Sequence, residues 1–124
     1  MERHAPVYML LHSSSADTIG HTFGGESKEY RRQIWRIDNA LARAIPIWRK
    51  LGYDVIVTAD HGMTEDGWHG GTTSIATNVP LYLFSNALAP EEEQVHSQLG
   101  IAASILALTG IAPSNGMGDA LLIP

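Results

Sequence analysis

The chain has 124 residues, no cysteine and a formal net charge of −5, and 44% of its residues are hydrophobic. That length supports one small domain with its own core, and the composition excludes a disordered chain. The acidic balance excludes the basic footprint of a nucleic-acid binder, and the missing thiols exclude disulfides and thiolate metal sites. A metal held by this chain has to use histidine and carboxylate.

Met1-Glu2-Arg3-His4 is followed by no long apolar h-region, and no apolar run approaches the roughly 20 residues of a membrane helix. The expectation is a soluble chain with no membrane partner, with the cytoplasm favoured. Val7 to His12 (VYMLLH) is a short apolar run between Pro6 and three serines, which predicts a strand buried on both faces. A polar, glycine-containing connection follows, from Ser13 to Ser27. From Lys28 to Leu51 the residues Ile34, Ile37, Leu41, Ile45, Trp48 and Leu51 recur at spacings of three and four, which predicts a helix. Trp35 and Trp48 are assigned to its packed side. Pro46 is expected to kink or split that helix, and Gly52 to cap it in the left-handed conformation.

Asp54 to Ala59 (DVIVTA) predicts a second strand and Pro80 to Ser85 (PLYLFS) a third. Between them Asp60 to Val79 reads as a long loop rich in Gly and Thr, the kind that is usually functional. Pro90 and the glutamates at 91–93 predict a helical turn, and Ser97 to Thr109 a helix with Ile101, Ile105 and Leu108 on one face. The order strand, helix, strand is the right-handed crossover pattern. The expected class is α/β, a mostly parallel sheet flanked by helices, with residues 1–124 as one domain.

Two clusters carry chemistry. Asp17-Thr18-Ile19-Gly20-His21 sets a carboxylate and an imidazole four residues apart, and Asp60-His61-Gly62-Met63 follows a strand directly. In a parallel sheet the C-terminal strand ends line one edge, so a crossover brings both clusters together there. His69 lies in the loop that leaves the same edge, and Gly67, Gly70 and Gly71 let its backbone bend toward an ion. Such a set suits hydrolytic zinc or manganese.

Each residue also has a plainer reading. Asp17 could be a turn or cap residue, Asp60-His61 a strand-end turn, and His69 a solvated loop histidine. His12 reads as packed or hydrogen-bonded, and His4 and His96 as surface residues. Ser13, Ser14, Ser15, Thr58, Thr72 and Thr73 lack the helix N-terminus and adjacent base that would make a nucleophile. Trp68 reads as a cover for the metal, with base stacking as the alternative.

The words SADTIGH, VTADHGM, WHGGTT and NVPLYLF, in that order, resemble the C-terminal half of the alkaline phosphatase superfamily. The nearest group is the nucleotide pyrophosphatase/phosphodiesterases; phosphonoacetate hydrolases and glycosylphosphatidylinositol ethanolamine-phosphate transferases are similar around DHGM and HGG. The resemblance runs from about Val7 to Gly110. It implies part of a three-layer alkaline-phosphatase-like fold. It also implies that Asp17, His21 and His69 ligate one ion and Asp60 and His61 a second, zinc or manganese, in a two-metal phosphoryl-transfer site. Complete members carry an earlier metal-binding Asp and a Thr or Ser nucleophile, and no word of this sequence matches those.

The resemblance therefore implies the metal-binding part of a larger phosphohydrolase, inactive alone, acting in its parent on a phosphate ester or nucleotide-like small molecule. The alternatives are a non-catalytic structural or interaction module, or a related phosphomutase, phosphonate hydrolase or phosphoethanolamine transferase. An incomplete sheet would leave an open edge, so a homodimer or pairing with an N-terminal half is expected.

Overall fold

The computed structural model describes residues 4–87 and 95–120. Its elements are α1 (Ser15–Phe23), α2 (Lys28–Lys50), β1 (Val55–Thr58), α3 (Ser74–Thr77), β2 (Leu81–Phe84) and α4 (Leu99–Leu108). The α/β class stands. The chain divides into two compact units, Leu11–Tyr82 and the remainder.

In the Leu11–Tyr82 unit, α1 and α2 pack together and α2 runs on to β1. α2 starts where Ser27 caps it, the hydroxyl oxygen accepting from the Tyr30 amide at 3.1 Å. It ends in a Schellman arrangement. Gly52 adopts φ +86°, its amide donates to Arg49 O and the Tyr53 amide donates to Trp48 O. Arg49 then reaches Asp54 at 2.6 Å and the Tyr53 carbonyl at 2.8 Å, which fixes the entry into β1. Helix and strand are thus joined by local hydrogen bonds.

The helix is continuous through Pro46, so the expected split does not occur. Proline removes one rung near the helix end, and the residues beyond it are held by the Schellman bonds. Ile45 is buried, with Ile37, Leu41 and Trp48 half-buried around it. Ile34 and Trp35 are exposed, at 43% and 64%, so Trp35 lies off the packed side.

Three further expectations change. Residues 13–27 are not simply a connection: α1 occupies Ser15–Phe23. Val7 to His12 forms no strand, and Val7, Leu10 and Leu11 are 81%, 74% and 62% exposed. A strand buried on both faces needs hydrogen-bonded neighbours, and among the described residues the sheet contains only β1 and β2.

That pair is antiparallel, so the described sheet does not display the expected parallel order. The reason lies in the 60–79 loop. Its Gly62 amide bonds Ala76 O at 2.8 Å, and its Thr64 amide bonds Trp68 O at 2.8 Å. The loop therefore turns back on itself and returns the chain beside β1, whereas a parallel return needs a crossover.

In the other unit, α4 buries Gly100, Ala103 and Ser104, with the Ser104 hydroxyl donating to Gly100 O at 2.7 Å. Ile101, Ile105 and Leu108, the expected face, are half-buried. Gly110 follows with φ +75°. The turn expected at Pro90 and residues 91–93 lies outside the described residues.

Candidate metal centre

Four residues on a helix make roughly one turn, so α1 places Asp17 and His21 on the same face. Asp17 Oδ1 lies 3.3 Å from His21 Nε2. Asp17 is also in the first turn, where a carboxylate suits the positive end of the helix dipole.

The loop after β1 is seated against α1 through a close approach at Gly20. A methyl group there would lie 2.6 Å from Met63 Cε, and Met63 is 7% exposed. Gly67 makes the second close approach. With φ +82° it turns back toward α1, and a Cβ on it would lie 2.6 Å from Gly20 O. The turn between these points is closed by the Thr64 and Trp68 backbones and by the Trp68 amide donating to the Thr64 hydroxyl oxygen at 2.9 Å.

This packing delivers the remaining histidines. His61 Nε2 lies 3.8 Å and His69 Nε2 3.7 Å from Asp17 Oδ1. His69 Nε2 is 3.2 Å from His21 Nε2, and the His61 and His69 rings stack with centroids 3.7 Å apart. The three imidazoles therefore converge on Asp17 Oδ1, and the ligand atoms of Asp17, His61 and His69 all lie within 4.8 Å of one another.

Asp60 stands further out. Its Oδ1 accepts from the His61 amide at 3.2 Å, and its Oδ2 is 3.7 Å from His61 Nε2. His12 is exposed rather than packed, with Nε2 4.0 Å from Asp60 Oδ2. His96, in the other unit, is half-buried rather than on the surface.

Two of the imidazoles are oriented from behind. His21 Nδ1 lies 2.7 Å from Gly67 O, and His61 Nδ1 lies 2.9 Å from Gly62 O. A carbonyl can only accept, so each Nδ1 carries a hydrogen, and in the neutral imidazole that leaves the Nε2 lone pair facing Asp17. That is the usual orientation of a metal-ligating histidine. Asp17 Oδ1 is buried and has no hydrogen-bond partner. With the imidazoles neutral, a cation between this carboxylate oxygen and the Nε2 atoms is favourable, so the donor set fits a divalent ion.

Trp68 does not cover the cluster. Its indole is 67% exposed and meets His21 edge-on with centroids 6.2 Å apart. Of the candidate hydroxyls, Thr58 donates to Ala59 O, Ser13 and Ser15 bond each other, and Ser15 also accepts from Gln33. The Gly62 and Gly67 carbonyls are part of the site that residue-type reasoning missed. The Asp-x-x-x-His spacing was the available signal for α1.

Comparison with known proteins places the chain. The family model described as type I phosphodiesterase / nucleotide pyrophosphatase matches residues 1–70. The human GPI ethanolamine phosphate transferase 3, catalytic subunit, is 26% identical over 91% of this chain and 11% of its own length. GPI ethanolamine phosphate transferase 1 of Emericella nidulans is 32% identical over 70% of this chain and 10% of its own length. The mouse GPI ethanolamine phosphate transferase 1 is 33% identical over 60% of this chain. The chain thus spans about a tenth of the curated relatives it matches. No solved structure matches it.

Proposed function

Because the chain belongs to the type I phosphodiesterase / nucleotide pyrophosphatase family, we propose that it supplies the divalent-metal site of an enzyme that cleaves or transfers a phosphate ester. Asp17, His21, His69, Asp60 and His61 are the ligand set, with zinc favoured and manganese the alternative. The supporting observation is the meeting of Asp17 Oδ1 with three imidazole nitrogens, two of them oriented by glycine carbonyls.

A bound ion would supply Lewis acidity and positive charge at the phosphoryl oxygens. The residues of the chain do the rest. Asp17 supplies the anionic donor, and Gly67 O and Gly62 O hold His21 and His61 with Nε2 forward. Met63 against Gly20 keeps the loop and α1 together. The net charge of −5 opposes an anionic substrate, so phosphate affinity has to come from the bound cation.

The relatives' names favour phosphoethanolamine transfer as the reaction of the whole protein. Hydrolysis of a nucleotide-like phosphodiester is the second reading, and the family model favours it. Both need the same site.

The test is calorimetric titration of the chain with O-phosphoethanolamine and with AMP, before and after zinc loading. Binding of either by the loaded chain alone is expected, with O-phosphoethanolamine preferred under the first reading. Equal or absent binding in the two forms would remove the proposal.

A further inference from the structure

Trp68 stands beside the proposed ligands and takes no part in holding an ion. Tryptophan is mostly covered in folded chains, yet this residue is 67% exposed. It is also held in place. The Trp68 amide donates to the Thr64 hydroxyl oxygen at 2.9 Å, and the Trp68 carbonyl accepts from the Thr64 amide at 2.8 Å. The same turn is tied to the segment just after α1, where the Gly25 amide donates to Thr64 O at 2.9 Å. An exposed ring on an anchored backbone loses little freedom when it meets a ligand.

The ring is placed close to the proposed chemistry. Trp68 directly precedes His69 and meets His21 edge-on, with centroids 6.2 Å apart. A phosphoryl group at those imidazoles therefore has the indole within reach of a short substituent. Cations are attracted to an aromatic face within about 6 Å of its centroid, and the indole attracts them most strongly.

Charge then favours a cation over a neutral base. Glu65 and Asp66, in the same turn as Trp68, are both exposed, and the chain carries −5 overall. Negative surroundings attract an ammonium, whereas a nucleotide base brings no positive charge to meet them.

We propose that Trp68 is the specificity residue for the amine end of the substrate. With the phosphoryl group at the metal centre, the ammonium of a phosphoethanolamine group rests against the indole. The inference rests on the phosphoethanolamine reading above and adds the residue that recognises the amine. The contact makes and breaks no bond.

Calorimetric titration of the zinc-loaded chain with O-phosphoethanolamine, ethyl phosphate and AMP tests it, in the wild type and in Trp68→Phe, Trp68→Leu and Trp68→Ala. Ethyl phosphate keeps the phosphoryl group and the two-carbon arm but lacks the ammonium. Leucine keeps apolar bulk beside His21 but has no aromatic face. The wild type should prefer O-phosphoethanolamine to ethyl phosphate. Trp68→Leu and Trp68→Ala should each reduce that preference about two- to fivefold, the factor of an exposed cation–π contact, and Trp68→Phe should keep part of it.

Equal binding of the two phosphates by the wild type, or a preference unchanged in Trp68→Leu, would overturn the proposal. Variants that weaken AMP and leave O-phosphoethanolamine untouched would overturn it in favour of base stacking. Loss of zinc from Trp68→Leu, read by elemental analysis, would make the indole a support for His21 and overturn it too. In each of these cases zinc-dependent binding of a phosphate by the wild type leaves the proposed function standing. Its absence ends both.

Discussion

The Val7–Leu11 segment and the α1–loop region are both rich in residues that signal structure, yet only one of them is built. Val7, Leu10 and Leu11 are apolar and largely exposed. The other region, Ser15–Phe23 with residues 60–69, holds a buried methionine, two close glycine approaches and two anchored imidazoles. A strand depends on a neighbour supplied from elsewhere in the chain, whereas a helix satisfies its own backbone and then needs only one face covered. The site is organised where hydrogen bonds close locally and one small contact joins the pieces.

Substitutions can break or sharpen that contrast. The largest effect should come from Asp17→Ala, which removes the donor shared by three imidazoles. Zinc affinity should fall at least about 100-fold by chelator competition, since even outer-shell losses cost 10–100-fold. Retained affinity would mean that Asp17 is only a helix-start residue.

Next is Gly20→Ala. The added methyl meets Met63, and overpacking of this kind costs about 1–3 kcal/mol. Thermal denaturation should show the loss, and Gly20→Ala combined with Met63→Ala should not add the two single costs, because the residues are in contact. Strict additivity would separate α1 from the loop energetically.

Gly52→Ala should cost about 1 kcal/mol, since φ +86° is left-handed backbone that a Cβ disfavours. Leu10→Ser should change stability by less than about 0.5 kcal/mol, as expected for an exposed position. A large loss there would mean that the segment is structured after all.

The smallest effect concerns Tyr30, whose phenol is pushed above its ordinary value of 10.0 by burial and, second, by the negative charge of Asp17. A group raised on folding contributes stability that is present below 10.0 and is lost as pH rises through its folded pKa. Ultraviolet titration of tyrosinate should show one tyrosine ionising late. In Asp17→Asn it should ionise earlier, though still above 10.0, because burial remains.

Much of this was legible without coordinates. Ile37, Leu41, Ile45 and Trp48 marked the packed stripe of α2, Gly52 its end, and DVIVTA and PLYLFS the two strands, because period, cap and β-branching are local properties. Residue type and order also singled out Asp17, His21 and His69, and Asp60 and His61, as candidate ligands.

Tertiary structure decided what depends on partners distant in sequence. It left VYMLLH out of the sheet, which among the described residues contains only β1 and β2. It made SADTIGH a helix, so that a spacing of four became a shared face. It turned Nε2 of His21 and His61 forward through carbonyls 46 residues and one residue away. It also drew His61 toward Asp17 and His69 while leaving Asp60 at the rim. A ligand list is a matter of chemistry, but its grouping around an ion is a matter of distance, and in this chain Met63 packed against Gly20 joins the two pieces that set it.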